Sequence, residues 1–204
     1  ANGQSLQPIR RFVQEGSAVM VQVAREAFGK KGARLRSSIA ISGRLLIYQP
    51  QKPGIRLSRR IVDKRERARL IRDVAPLLHG QEGIVVRTNA NGIKQEVISG
   101  ELKALRKEWS NILNRINYSK TPMLVYEDLP LVGRVIRDHV VNPETVILTD
   151  DSSVAIKAKT YSKTILPDLV SNIFCCSEDR NLFDRHNLEE QIAEVMEPVI
   201  KLRG

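Results

Sequence analysis

The chain has 204 residues, of which 42% are hydrophobic and 27% charged, so it can build one large globular domain or two small ones. No apolar run reaches the length of a membrane span. The adjacent residues Cys175 and Cys176 suit neither a disulfide nor a zinc site, and two unpaired cysteines are typical of a protein in a reducing cytoplasm. The net charge is +10, but residues 1–72 hold 17 Lys or Arg against 4 Asp or Glu, and residues 73–204 hold 16 against 19. This one-sided excess predicts a polyanionic partner, most simply nucleic acid, although a basic face can also serve solubility alone.

Two alternating segments open the chain. Residues 16–27 and residues 34–41 each alternate with period two, which predicts two strands, and the turn FGKKG joins them. Arginines occupy the polar face of the second segment, so we expect a β-ribbon with a basic open face, a surface that small barrels offer to single-stranded RNA. Gly43 breaks this ribbon, and residues 45–48 predict a further strand that Pro50 ends.

The next helix has clear end signals. Asp63 is a typical N-cap residue, and Glu66 three positions later predicts a capping box. An apolar stripe follows, and Pro76 should end or kink the helix because it cannot donate a backbone hydrogen bond.

The segment GQEGIVVRTNANG, residues 80–92, is the most informative. Residues 83–86 predict a short buried strand that brings Arg87 and Thr88 to its end, before a turn rich in asparagine and glycine. A guanidinium, a hydroxyl and turn amides together can bind a phosphate group. Taken alone, the pattern fits better with an arginine that is solvated or paired with a carboxylate.

The clearest helix spans residues 97–118, with an apolar stripe at spacings of three and four residues. Trp109 belongs to this stripe, so we interpret it as a core residue and not as a base-stacking platform. Farther along, the pattern predicts strands at residues 123–126, 145–148 and 168–174, a helix at residues 131–141, and a last helix capped by Asn187.

The pair Asp150-Asp151 follows a predicted strand, where carboxylates can bind a metal ion. We favour the alternative that it caps the helix at residues 154–161. The three histidines lie far apart in the sequence and form no metal-binding motif.

Four sequence words, in this order and nearly at this spacing, resemble the ribonuclease E/G family of bacterial and plastid endoribonucleases: VMVQVAREAFGKKGARL, SGRLLIYQP, LSRRI and GIVVRT. Weaker similarity continues through LRKEWSNI, VIRDHV and ETVILTDD to NLEEQIAEVMEPVIKLRG. The resemblance implies an α+β fold: a partial OB-fold β-barrel with an inserted 5′-sensor subdomain, followed by a ribonuclease-H-like α/β subdomain. In this chain, residues 1–43 would form the end of the RNA-binding barrel and residues 44–120 the 5′-sensor-like region. Residues 121–204 would form the ribonuclease-H-like subdomain.

The same resemblance implies roles for individual residues. In the family, the sensor binds the 5′-monophosphate end of an RNA, and the positions that match it here are Arg87, Thr88, Gly43 and Ile47. The family often has valine in place of Ile47. Positions that match RNA-contacting or supporting basic residues are Lys31, Arg59 and Arg60.

Departures from the family pattern concern catalysis. The family cleaves RNA with two aspartates that hold Mg²⁺, in a subdomain that opens with a DINSA-like word, and this word is absent here, as are the CPxCxG-like zinc link and the first barrel strands. We therefore expect a fragment of a cytoplasmic endoribonuclease that binds single-stranded RNA, with no catalytic residue, metal ligand or cofactor of its own. Mg²⁺ and a possible homo-oligomer are expectations for the parent enzyme. The alternative is a non-catalytic RNA-binding or adaptor protein of the same fold.

Overall fold

A computed structural model describes residues 8–11, 13–117, 120–176 and 182–197. The chain is a mixed α+β protein that divides into two compact units, Ala1–Asp128 and Leu129–Gly204. The three-part division expected from the sequence stays a prediction.

The predicted ribbon is a short antiparallel hairpin of β1 (Gln22–Arg25) and β2 (Arg34–Arg36). Its turn is closed by Phe28 and Lys31, whose N–H groups each donate to the other's carbonyl oxygen at 3.0 Å. Both strands are shorter than the alternation predicted. Their apolar residues are about half exposed, so the described residues supply no packed layer that would extend the pairing.

A four-stranded sheet forms the centre of the first unit. Its order is β3 (Ile41–Ser42), β4 (Leu46–Gln49), β6 (Gly83–Val86) and β5 (Gly54–Leu57). Strand β4 is antiparallel to both of its neighbours, and β5 runs parallel to β6. The predicted central strand is thus confirmed, with its bounds, as β6. The sheets of the described residues do not close into a barrel.

Two helices complete the core of this unit, α1 (Lys64–Val74) and α2 (Gln95–Asn117). Their apolar stripes contribute to one cluster with the sheet, which includes Leu46, Tyr48, Ile84, Val86, Leu70, Val74, Ile98 and Leu102. Trp109 is half-buried against this cluster, which confirms its interpretation as a packing residue. The predicted end of this helix at residue 118 lies outside the described residues.

Helix α1 begins and ends as its signals predict, with one exception. Asp63 caps it by accepting a hydrogen bond from the Arg65 N–H at 2.9 Å, and a 3₁₀ turn that contains Pro76 follows its end. Glu66 does not complete a capping box. Its carboxylate accepts from the Arg69 side chain and from the Gly92 N–H at 2.8 Å, and these two hydrogen bonds lower the pKa of Glu66 to about 2. Glu66 thereby attaches α1 to the turn that follows β6.

A second polar network joins α2 to the start of β6. The Glu82 carboxylate is buried, forms an ion pair with Arg106, and accepts from the Tyr48 hydroxyl at 2.9 Å. Burial, together with this hydrogen bond to Glu82, raises the pKa of Tyr48 to about 12. Carboxylate hydrogen bonds therefore hold the residue directly before β6 and the turn that follows this strand.

The second unit contains a βαβ motif. Strands β7 (Ile147–Thr149) and β8 (Ile173–Cys175) are parallel and are connected through α4 (Ser152–Ile165). Helix α3 (Leu131–His139) packs on α4, and α5 (Leu182–Arg185) and α6 (Leu188–Met196) follow. The core residues of this unit are Ile136, Val140, Ala158, Leu169 and Ile173.

Three sequence expectations for residues beyond 120 were wrong. Residues 123–126 form no strand, because no described segment pairs with them. Most of the predicted strand at residues 168–174 is a 3₁₀ helix, Pro167–Asn172, and pairing begins only at Ile173. Asn187 precedes α6 in the left-handed conformation, at φ 51°, and its side chain makes no cap hydrogen bond.

Of the pair Asp150-Asp151, Asp151 is the helix cap. Asp151 Oδ1 accepts from the Ser153 and Val154 N–H groups at 2.7 and 3.3 Å, at the start of α4. Cys175 and Cys176, at the end of β8, are free thiols. In the described part of the chain, no helix is long and apolar enough to cross a membrane.

Candidate functional site

The candidate site lies at one edge of the four-stranded sheet. Because β5 and β6 are parallel, their carboxyl ends meet there, and Ser58 follows one strand while Arg87 and Thr88 follow the other. Strand β4 runs the opposite way, so the turn that precedes it, at residues 43–45, reaches the same edge. Ligands commonly bind at the carboxyl ends of parallel strands.

Arg87 is held against this turn. Its side-chain Nη1 donates to the Gly43 carbonyl oxygen at 2.7 Å, and its backbone N–H donates to the Leu45 carbonyl oxygen at 2.8 Å. The side chain is half-buried. The structure thus brings together Arg87 and Gly43, which are 44 positions apart in the sequence.

Thr88 forms a hydroxyl pair with Ser58. The two oxygen atoms, Thr88 Oγ1 and Ser58 Oγ, lie 2.9 Å apart on an exposed part of the edge, and the Ser58 N–H donates to the Val86 carbonyl oxygen at 2.8 Å. One hydroxyl donates to the other, so the second hydroxyl proton can bind a ligand. Ser58 was missed by the sequence analysis, and its only signal was its place directly before Arg59 and Arg60.

The turn after β6 uses its amides within the protein. The Ala90 and Asn91 N–H groups donate to the carbonyl oxygens of Arg87 and Thr88, at 3.1 and 3.0 Å, and the Gly92 N–H donates to Glu66. These amides already donate within the protein, so side chains would provide most of the donors around a phosphate bound at this edge.

Glu101, from α2, is the second residue that the sequence analysis missed. Its Oε1 accepts from the Leu45 and Leu46 N–H groups at 2.8 Å each, and the Arg44 N–H also bonds to this carboxylate. Burial raises the pKa of Glu101, whereas these amides and the nearby Arg87 oppose that rise. In the sequence, Glu101 only precedes the apolar Leu102 in a predicted helix. Nothing there distinguishes it from an ordinary surface glutamate.

Gly43 makes this arrangement possible. A Cβ atom at this position would lie 2.8 Å from Glu101 Cδ and 3.2 Å from Leu105 Cδ1. Any larger residue would therefore displace the carboxylate from the turn amides.

The other residues expected to bind RNA lie in different places. Ile47 is half-buried in β4, pairs with Val85, and occupies the face opposite to the buried Leu46 and Tyr48. The basic pair that follows Ser58, Arg59-Arg60, is exposed in the turn beside the edge.

Lys31 lies on the β1–β2 hairpin, a separate element of the same unit. Lys30 and Lys31 are exposed at the hairpin turn next to Phe28, whose side chain is 86% exposed. An exposed aromatic ring beside two ammonium groups is suited to stacking and binding single-stranded nucleic acid. The sequence analysis treated Phe28 only as part of the turn.

One cavity and the potential metal ligands of the described residues offer no clear alternative site for a charged ligand. A cavity of about 540 Å³ in the first unit is lined by uncharged residues among positions 16–21, 116 and 121–125. Within the described ranges, no group of three or more His, Cys, Asp or Glu side chains could hold a metal ion.

A family profile and individual relatives of known name point to the same protein family. The profile of the Ribonuclease E/G family matches residues 40–204. Ribonuclease G of Salmonella typhimurium is 28% identical over 200 residues, which are 98% of this chain and 41% of that protein, and Ribonuclease G of Escherichia coli K12 is 28% identical over 201 residues. Ribonuclease E of Nostoc sp. is 36% identical over 144 residues, 70% of this chain and 21% of that protein. The chain thus spans about two fifths of the length of the ribonuclease G relatives.

Proposed function

The chain belongs to the ribonuclease E/G family, and on this premise we propose that it is the RNA-binding and 5′-monophosphate-sensing portion of a cytoplasmic endoribonuclease that cuts single-stranded RNA. In this proposal the β1–β2 hairpin is the end of an OB-fold barrel, the four-stranded sheet with α1 and α2 is the sensor, and the second unit is ribonuclease-H-like.

The observation that carries the proposal is the convergence at the sheet edge. Three segments far apart in the sequence bring a guanidinium, a hydroxyl pair and a glycine turn to one place, at Arg87, Ser58-Thr88 and Gly43. Planar guanidinium donors and hydroxyl groups recognise the oxygens of a phosphate monoester. The exposed Arg59 and Arg60 add positive charge for the RNA backbone that continues from a bound 5′ end.

The proposed role of this chain is recognition and not cleavage. Hydrolysis in the parent enzyme would use Mg²⁺ to activate water and to neutralise phosphate charge. The described residues contain no group of three or more His, Cys, Asp or Glu side chains that could hold such an ion, and we derive no hydrolytic step from them.

The test is binding of a short fluorescent single-stranded RNA, in matched 5′-monophosphate and 5′-hydroxyl forms, measured by anisotropy at two salt concentrations. We expect the monophosphate form to bind at least tenfold more tightly, because one hydrogen bond to a charged group contributes about 1.5–3 kcal/mol net of solvent exchange, and about 1.4 kcal/mol corresponds to a tenfold change in affinity. Equal affinities for the two forms at both salt concentrations would contradict the sensor assignment.

The hairpin has its own prediction. Replacing Lys31 with glutamate should weaken binding of both RNA forms by about three- to tenfold and lower the salt slope by about one to two, because a phosphate contact is replaced by repulsion. The matched control is Lys159→Glu, a charge reversal at an exposed position of α4 in the other unit. Unchanged affinity and salt slope for Lys31→Glu would show that the hairpin is not an RNA contact.

A further inference from the structure

We propose that Glu101 of α2 determines the specificity of the phosphate site, because its carboxylate binds the amides of the same turn whose Gly43 carbonyl oxygen holds Arg87, and thereby restricts the negative charge that a bound 5′ end can carry. This inference rests on the proposed function and concerns discrimination between a 5′-monophosphate and a 5′-triphosphate.

The first step is the position of the carboxylate. The turn at residues 43–45 contacts Arg87 through the Gly43 carbonyl oxygen, at 2.7 Å. The Leu45 amide of this turn and the Leu46 amide, at the start of β4, each donate to Glu101 at 2.8 Å. Arg87 and Glu101 thus contact the same turn, where they attract each other electrostatically. The carboxylate is a built part of the site and not a surface charge.

The second step is the charge of the site. Arg44 belongs to the same turn and is half-buried, and its guanidinium is close enough to interact electrostatically with both Glu101 and Arg87. Two guanidinium groups therefore interact with one carboxylate, and with Glu101 ionised the three groups carry a net charge of about +1 before Arg59 and Arg60 are considered. A phosphate monoester carries about −1.5 to −2 at neutral pH, and a triphosphate carries more.

The third step is the consequence for selectivity. In its ionised form, which the turn amides and Arg87 favour against burial, the Glu101 carboxylate repels every phosphate, but it repels the more highly charged triphosphate more strongly. Glu101 therefore lowers the affinity for a triphosphate more than that for a monophosphate. The expected contribution is electrostatic and adds to any steric limit on a bulkier end.

The experiment uses the full 204-residue chain and one RNA sequence with a 5′-hydroxyl, a 5′-monophosphate or a 5′-triphosphate. In Glu101→Gln the side-chain oxygen can still accept from the Leu45 and Leu46 amides, but the charge is lost. We expect the ratio of monophosphate to triphosphate affinity to fall by about three- to tenfold, mainly because triphosphate binding becomes tighter. The control is Glu96→Gln, a neutralised glutamate in the exposed first turn of α2, which should leave the ratio unchanged.

Glu101→Asp separates the charge from the hydrogen bonds to the turn, because it keeps the charge on a shorter side chain. We expect it to retain the wild-type ratio while its thermal unfolding temperature falls. An unchanged ratio in folded Glu101→Gln, or an equally reduced ratio in Glu101→Asp, would overturn the proposal. A wild-type chain that ignores both 5′ phosphates would overturn the sensor function itself, which is measured separately on the unmodified protein.

Discussion

Replacing Arg87 with alanine is expected to abolish the preference for a 5′-monophosphate end. The guanidinium is held by the Gly43 carbonyl oxygen at the sheet edge, directly after β6, where its planar set of donors can bind phosphate oxygens. We expect the affinity for monophosphate RNA to fall at least tenfold, to the level of hydroxyl RNA, because a charge-assisted hydrogen bond is worth about 1.5–3 kcal/mol. Binding of the hydroxyl form should change much less.

Two variants sharpen this measurement. Arg87→Lys keeps the charge but not the planar fork, so we expect it to restore only part of the preference. Arg65→Ala removes an exposed arginine of α1 and should leave the preference intact. A folded Arg87→Ala protein that still prefers monophosphate RNA would show that the phosphate binds elsewhere.

Among the substitutions considered, replacing Gly83 with alanine is expected to lower the free energy of unfolding the most. A Cβ atom there would lie 2.6 Å from the Gly54 carbonyl oxygen and would also overlap the Lys52 carbonyl oxygen. Both are backbone atoms: Gly54 is the residue of β5 that pairs with Gly83, and Lys52 lies two positions before it, so these atoms cannot move without breaking the β5–β6 ladder. We expect the free energy of unfolding to fall by about 3 kcal/mol or more.

The matched control is the same substitution in a helix. Gly100 lies within α2, and a Cβ atom there would contact no atom within 4 Å. Gly100→Ala should therefore stabilise the protein by up to about 1 kcal/mol, since glycine is a poor helix former. Denaturant unfolding measures the free energy of unfolding of both variants, which should fall in Gly83→Ala and rise in Gly100→Ala. Equal stabilities for Gly83→Ala and the wild type would mean that β5 and β6 do not pair as described.

The two variants also differ in their expected effect on binding. The β5–β6 pairing places Ser58 beside Thr88, so its loss in Gly83→Ala should also weaken the monophosphate preference. Gly100→Ala leaves this edge intact, and its RNA affinities should match those of the wild type. A stabilised Gly100→Ala protein with reduced preference would indicate that α2 moves the site.

Several elements could be predicted from residue order because they depend on neighbours in the sequence. The apolar run at residues 83–86 predicted β6, the three-and-four spacing predicted α2, and Asp63 and Asp151 occupy the cap positions expected of them. The strand at residues 123–126 was predicted on the same local grounds, but a strand also requires a partner. Periodicity describes a segment and not its neighbour.

The site itself depends on contacts that residue order does not show. The Ser58–Thr88 hydroxyl pair joins residues 30 positions apart, and Glu101 reaches the Leu45 amide across 56 positions. Glu66 shows the same limit, because its local spacing predicted a capping box and the fold offered Arg69 and Gly92 instead. A carboxylate takes whichever donors the folded chain brings within about 3 Å, and that choice is made by packing and not by spacing. The sequence alone therefore specified Arg87 and Thr88 at a strand end, and the tertiary structure added the residues that hold and surround them.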